Sequence, residues 1–390
     1  MNKEEKILIE LCNAFAHNEQ IRLNGGFDFA RLYKLARAHN LTAVCHCALQ
    51  NTENGSDIPE KFKNALLNSF YDIVYNSQRQ QNCIDELREL FTASQTPYIL
   101  FKGAILRNYY PVGEARAMGD IDLLIKQSDR DTVKNLLTKA GFKCTLQNGP
   151  VYSYEKNDVL VEVHTTLISE YNVYPFDNPF EHAHFDNCEG TLESNFHFAY
   201  LIAHTAHHFR FYGAGIKLIL DLALMQKNES IDLDIVFKYL EAAGLCTFAK
   251  TILTVCHKWF NAGKDFADEN SPATKKTEDY LCACGAFGSE LDNKGAVITR
   301  RELEQGHSTS SFMLKLRLAF PSYERMKEID YIKFLNGRRY LTAYAWCYRF
   351  FYILKHKKSL MKNAVGSLGD SKTTAQAYEQ LDFFEEIGLI

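Results

Sequence analysis

The stretch FKGAILRNYYPVGEARAMGDIDLLI, Phe101 to Ile125, decides the fold. It begins where the apolar run PYILF (Pro97–Phe101) ends, and it closes on a second apolar run, GDIDLLI (Gly119–Ile125). Short apolar runs bounded by turn residues read as buried strands. Between them, Lys102-Gly103-Ala104 marks a strand end from which a helix starts. Gly103 lets the backbone approach a ligand closely, and a helix start offers free N–H groups to phosphate.

Working outward, SDRDTVKNLLTKAG follows. Its apolar stripe is Val133, Leu136, Leu137 and Ala140, with Ser128 as the expected N-cap and Gly141 at the C-terminal end. CTLQ, VYSYEK and VLVEVHT (Val159–Thr165) then read as strands, the last with clear two-residue alternation. The segment 97–166 is therefore a compact unit of strand, helix, strand, helix and further strands. On either side the apolar spacing is three and four, as in EEKILIELCNAF and ESNFHFAYLIAHTAHHFRFY. ADENSPATKKTED (267–279) reads as a loop, and GSLGDSKTT (366–374) as a linker. The expected organisation is a helical region at 1–95, an α/β core at 96–190, a helical region at 191–362, and a linker with a terminal helix at 363–390. The fold class is mixed α+β: a small mixed sheet enclosed by N- and C-terminal helical regions.

The 390 residues carry 44 Lys and Arg against 48 Asp and Glu, a net charge of −4. That balance argues against a long nucleic acid as partner. The eleven cysteines are scattered, with two C-x-C pairs and no C-x-x-C, so a reduced, cytoplasmic protein is expected and a structural zinc is not. Glu4 and Glu5 interrupt any basic leader. The most membrane-like stretch, YLTAYAWCYRFFYIL (Tyr340–Leu354), is too short to span a bilayer and contains Arg349. It is expected to be a buried aromatic helix with basic ends. A helix lying on a membrane surface is the other reading.

The chemistry rests on three acids. Residues two apart in a strand share a face. Asp120 and Asp122 therefore project together, away from Ile121, Leu123 and Ile125. Adjacent carboxylates repel unless a cation lies between them, and hard cations such as Mg²⁺ take oxygen ligands. Glu162 shares a face with Leu160 and His164. If its strand neighbours the first, all three acids converge on one or two metals, the arrangement for in-line phosphoryl transfer. Lys102 would add a point charge for phosphate.

Other residues carry two readings each. Arg116 contacts phosphate or pairs with Glu162, or is a surface arginine. His164 orients a carboxylate or touches substrate, or is a half-buried sheet histidine. His204, His207 and His208 bind a metal, line the cleft or simply pack. Asp221 sits in an apolar helix and needs a partner, for which one of these histidines or Lys217 is expected. The basic run 338–362 is a solvated helix end or binds an anionic polymer.

These motifs resemble the nucleotidyltransferase superfamily of the polymerase-beta type, and within it an uncharacterised bacterial branch. The residues that carry the resemblance are Phe101-Lys102-Gly103 through Leu106, Tyr109 and Tyr110, then Arg116, then Asp120 to Ile125, then Glu162 and His164. The resemblance covers the α/β unit closely and extends loosely to about residue 250. It implies that Asp120, Asp122 and Glu162 hold two Mg²⁺, with Mn²⁺ as a substitute, and that Glu162 also serves as general base. Lys102, Gly103 and Ala104 would belong to the triphosphate turn, with Arg116 and His164 beside it. The implied reaction moves a nucleoside monophosphate from NTP to a hydroxyl on a small molecule, sugar or protein, releasing pyrophosphate. The sequence departs from the wider superfamily at Ala104, where Ser or Gly is usual. That departure motivates an alternative: a catalytically silent nucleotide-binding or protein-interaction relative, such as an antitoxin-like partner.

Overall fold

The computed structural model describes residues 1–168, 174–285, 294–307, 310–327, 329–335, 337–356 and 371–390. The chain divides into two compact units: residues 1–146 with 150–289, and residues 290–390 with the turn 147–149.

The first unit is built on the predicted strand pair. β1 (Tyr98–Phe101) and β2 (Ile121–Ile125) are buried along their whole length, as their apolar runs require. They pair antiparallel, with Phe101 opposite Asp122. β5 (Val159–His164) lies parallel to β2 on its other side, with Asp122 opposite Glu162 and Leu124 opposite His164. β3 (Lys143–Asn148) and β4 (Val151–Lys156) extend the sheet beyond β5. Among the described residues the sheet is open and seven-stranded, in the order β3-β4-β5-β2-β1-β7-β6. The fold is mixed α+β, as the sequence pattern implies.

β6 (Ala183–Asp186) and β7 (Glu189–Leu192) were not anticipated. They form a hairpin whose turn includes Asn187 at φ 53°, and β7 pairs parallel to β1. Each is four residues long. Three consecutive residues of β6 are exposed, so no alternation marks it.

The two faces of the sheet differ. Ile121, Leu123, Ile125, Val161 and Val163 pack against α4 (Glu60–Ala93) and α6 (Arg130–Lys139). α6 starts after Asp129; Ser128 lies in the preceding turn and donates to the Asp129 carboxylate instead of capping the helix. Gly141, at φ 87°, ends that helix as expected. On the opposite face lie Phe101, Asp122, Glu162 and His164, and this face meets α7 (Ser194–Phe211), where the Phe101 and Tyr200 ring centroids are 5.9 Å apart. α8 (Ile216–Asn228), α9 (Leu233–Ala242) and α10 (Cys246–Phe260) complete the helical layer.

The expected loop at 267–279 is largely helical. α11 (Pro272–Cys284) begins there, with Ser271 accepting from the Thr274 N–H and Pro272 in the first turn. Polar composition hid the apolar contact. Thr274, Thr277 and Leu281 are buried, and the Glu278 carboxylate accepts from Trp259 Nε1 at 2.8 Å and Lys258 Nζ at 2.9 Å.

In the second unit, α12 (Lys294–Glu304) packs on the terminal helix Ser371–Glu386, with the Arg300 guanidinium 4.5 Å from the Phe384 ring centroid. α13 (Ser311–Ala319), α14 (Tyr323–Lys327) and α15 (Thr342–His356) form the remainder. α15 corrects the expectation of a buried aromatic helix: Tyr344, Phe350 and Phe351 are exposed. Residues 366–370 of the expected linker lie outside the described residues; Ser371 onward is helical. No helix among the described residues is long and apolar enough to cross a membrane. All eleven cysteines are unbridged.

Candidate active site

Strand register brings the site together. Because β2 and β5 are parallel neighbours in register at Asp122 and Glu162, these two side chains share one face of the sheet. His164, two residues further on, shares it too. One ligand atom each from Asp122, Glu162 and His164 lie within 4.8 Å of one another. Asp120 precedes β2 and stands outside this tight group, but it lines the same cleft, of about 540 Å³.

Lys102 ends β1 with φ 50° and ψ −123°, a backbone conformation that costs free energy in any residue but glycine. The turn delivers its ammonium to Asp122 Oδ1 at 2.7 Å. His164 Nε2 lies 3.0 Å from the same oxygen and 3.4 Å from Glu162. Burial opposes ionisation of all three groups. The lysine's charge and the histidine's hydrogen bond nevertheless hold Asp122 well below the usual carboxylate range. In return, burial pulls Lys102 and His164 down, but Asp122 more than offsets this and both end above their ordinary values, His164 helped also by Glu162.

Asp120 goes the other way. Burial, then the charges of Asp122 and Glu162, push it up to about 6. The site therefore carries more negative charge than its own lysine neutralises. That is the electrostatic signature of a place where a cation is welcome.

Gly103 is closely packed in a way the sequence did not reveal. A Cβ there would lie 2.9 Å from Arg116 Nη1 and 2.9 Å from Met118 Sδ. The helix it opens is one turn long, Gly103–Leu106, so its macrodipole is weak. Ala104 is buried.

Arg116 pairs with Asp221 and not with Glu162. Its guanidinium makes a bidentate pair with Asp221 on α8, both contacts 2.8 Å, with both residues buried. Tyr110 OH donates to the same carboxylate at 2.7 Å. The expected partners of Asp221, a histidine or Lys217, give way to this pair. Lys217 instead donates to the Ala117 carbonyl at 2.7 Å, and burial, followed by the nearby Arg116, holds it down to about 8.

His204, His207 and His208 line the cleft wall facing the acids. His204 Nε2 and His208 Nε2 are 3.1 Å apart. Burial, followed by the neighbouring imidazoles, keeps both rings below their ordinary values, His208 at about 4. The cluster among the described residues whose geometry could hold a metal, Asp122, Glu162 and His164, does not include these histidines. The sequence names Tyr110 within the motif and Lys217 as a partner for Asp221, but it does not give the Tyr110–Asp221 bond or the Lys217 bond to the Ala117 carbonyl.

The site thus sets adjacent acids on a parallel strand pair beside a lysine-glycine turn. A family described as an uncharacterised nucleotidyltransferase matches residues 25–261, more than half of the chain, and the chain belongs to it. The match ends just after α10, before the second unit begins. No curated protein and no solved structure matches the chain.

Proposed function

We propose that the protein transfers a nucleoside monophosphate from an NTP to a hydroxyl-bearing acceptor, with release of pyrophosphate, in a Mg²⁺-dependent reaction. The observation that carries this reading is the register of β2 and β5, which sets Asp122 beside Glu162 with Asp120 lining the same cleft. The donor set fits the metal: it is rich in carboxylate oxygen, and Asp120 lies in an excess of negative charge. Asp120, Asp122 and Glu162 would hold the ions. When bound, Mg²⁺ supplies charge neutralisation at the phosphates and lowers the pKa of the acceptor hydroxyl.

The chain's own residues do the rest. Lys102 and His164 keep Asp122 ionised and fixed in orientation. Glu162, half-buried beside His164, accepts the acceptor's proton as its oxygen bonds to the α-phosphorus and the bond to pyrophosphate breaks. Lys102 and the N–H groups of the Gly103 turn face the triphosphate. Arg116 is a positioning residue: its charge is satisfied by Asp221, and its guanidinium packs against Gly103. Pyrophosphate release from labelled NTP, with candidate acceptors, tests the reading. Asp122→Asn and Glu162→Gln should each lower it on the order of a hundred- to a thousandfold, and wild-type rates in either variant would overturn it.

A second reading has its own observation. Lys102 already sits on Asp122, and Ala104 offers no hydroxyl to phosphate. A catalytically silent nucleotide sensor would bind NTP without releasing pyrophosphate under any acceptor condition.

A further inference from the structure

The second unit carries an aromatic face that the transfer reading does not use. On α15, Tyr344, Cys347 and Phe351 follow one another at three and four residues, which makes one stripe. All three are exposed, Tyr344 at 60% and Phe351 at 68%. Phe350 flanks the stripe at 55%, and Tyr340, just before the helix, is 80% exposed. The inward side of the helix packs through Ala345 and Trp346. Arg349 points to the other side, where its guanidinium donates to the Leu318 carbonyl at 3.1 Å, while the rings face outward. Grouped exposed aromatics of this kind mark an interaction surface.

Charge says what it would meet. Between Ser310 and Lys362 the sequence holds twelve Lys and Arg against three Asp and Glu. The rest of the chain holds 32 against 45. Arg338 and Arg339 lie exposed at the start of the aromatic face. The region is therefore cationic in an otherwise acidic chain, and α15 is too short to cross a bilayer. Apolar rings with basic residues at the ends of the helix are the composition of a helix that lies in a lipid interface.

We propose that this face of the second unit docks onto an anionic lipid bilayer, with its Phe and Tyr rings in the headgroup layer and its basic residues on lipid phosphates. Two other occupants fit less well. A symmetric second copy would set one cationic surface against another. A nucleic-acid track interleaves basic groups with its rings, whereas the Tyr344–Cys347–Phe351 stripe contains none. The inference is independent of the transfer reaction.

The test is co-sedimentation of the full chain with vesicles. Expected is binding to vesicles of phosphatidylglycerol and phosphatidylcholine, no binding to phosphatidylcholine alone, and release at high salt. The double substitution Phe350→Ser with Phe351→Ser should lower partitioning by about tenfold. Its circular dichroism and melting midpoint should stay at the wild-type values, because both rings are exposed. Tyr344→Ser provides a second, independent loss. The proposal is overturned if wild type stays in solution with phosphatidylglycerol vesicles, or if the double variant binds as wild type does. It is also overturned if the same substitutions dissolve a lipid-free dimer, or abolish binding to an RNA oligonucleotide that is tighter than binding to vesicles.

Discussion

Two buried ion pairs lie within the first unit, and they are built differently. Arg116–Asp221 is closed: two parallel contacts, a third from Tyr110, and both partners buried. Lys102–Asp122 is open on one side. The lysine makes a single contact at 2.7 Å, its side chain is partly exposed, and Asp120, Glu162 and His164 crowd the same cleft. A guanidinium in a bidentate fork is held in one geometry, whereas an ammonium on a flexible stem moves away easily. The first pair fastens α8 to the segment before β2. The second is a place where one cation can be exchanged for another.

That contrast can be broken most directly at Asp122. Asp122→Asn should lower nucleotide transfer on the order of a hundred- to a thousandfold, measured as pyrophosphate release. If Asp221→Asn lowered transfer as much without loss of stability, the distinction between the two pairs would be wrong. Asp221→Ala should instead cost about 3–5 kcal/mol of stability, because it leaves the Arg116 charge buried and unpaired. Urea unfolding reads this directly. The paired replacement Arg116→Met with Asp221→Leu should recover most of the loss.

Gly103→Ala sharpens the comparison further, because it presses on Arg116 and leaves every acid in place. With a Cβ 2.9 Å from the guanidinium, a loss of about 1–3 kcal/mol is expected. Should the variant melt like wild type, Arg116 does not support the turn.

The last effect concerns Asp120 and runs toward greater stability. Its folded pKa of about 6 lies above the ordinary carboxylate value, so the folded state holds its proton more tightly than the unfolded chain does. Stability therefore falls as pH rises from about 4 to about 6 and stays lower above that. Asp120→Asn should stabilise the metal-free protein at neutral pH by about 1–3 kcal/mol, with the gain vanishing below about pH 4. Melting in EDTA across that range checks it, and Mg²⁺ should narrow the gap by stabilising wild type alone.

Legibility followed the range of the interaction. Asp122, Glu162 and His164 were readable because alternation inside one strand assigns each residue to a face; Asp120 lies just before β2, outside their tight group. The hairpin of β6 and β7 was not, because four-residue strands with an exposed edge carry no periodic signal. The start of α11 was present as Ser271-Pro272, but the polar run around it outweighed the cap. The exposed rings of α15 misled in the other direction: apolar composition predicts burial, yet these rings face outward while Arg349 is half-buried on the other side.

The sequence by itself determined the strand pair, the turn at Lys102-Gly103, the face on which the acids project and the family to which they belong. All of these depend on residues within a few positions of one another. Only the tertiary structure decided that Glu162 stands beside Asp122, that His164 joins them, and that Arg116 belongs to Asp221. Those contacts depend on strand register and on helices joined through more than a hundred residues of chain. No local pattern encodes the partner of a buried charge; packing brings the two together, and burial then requires that they pair.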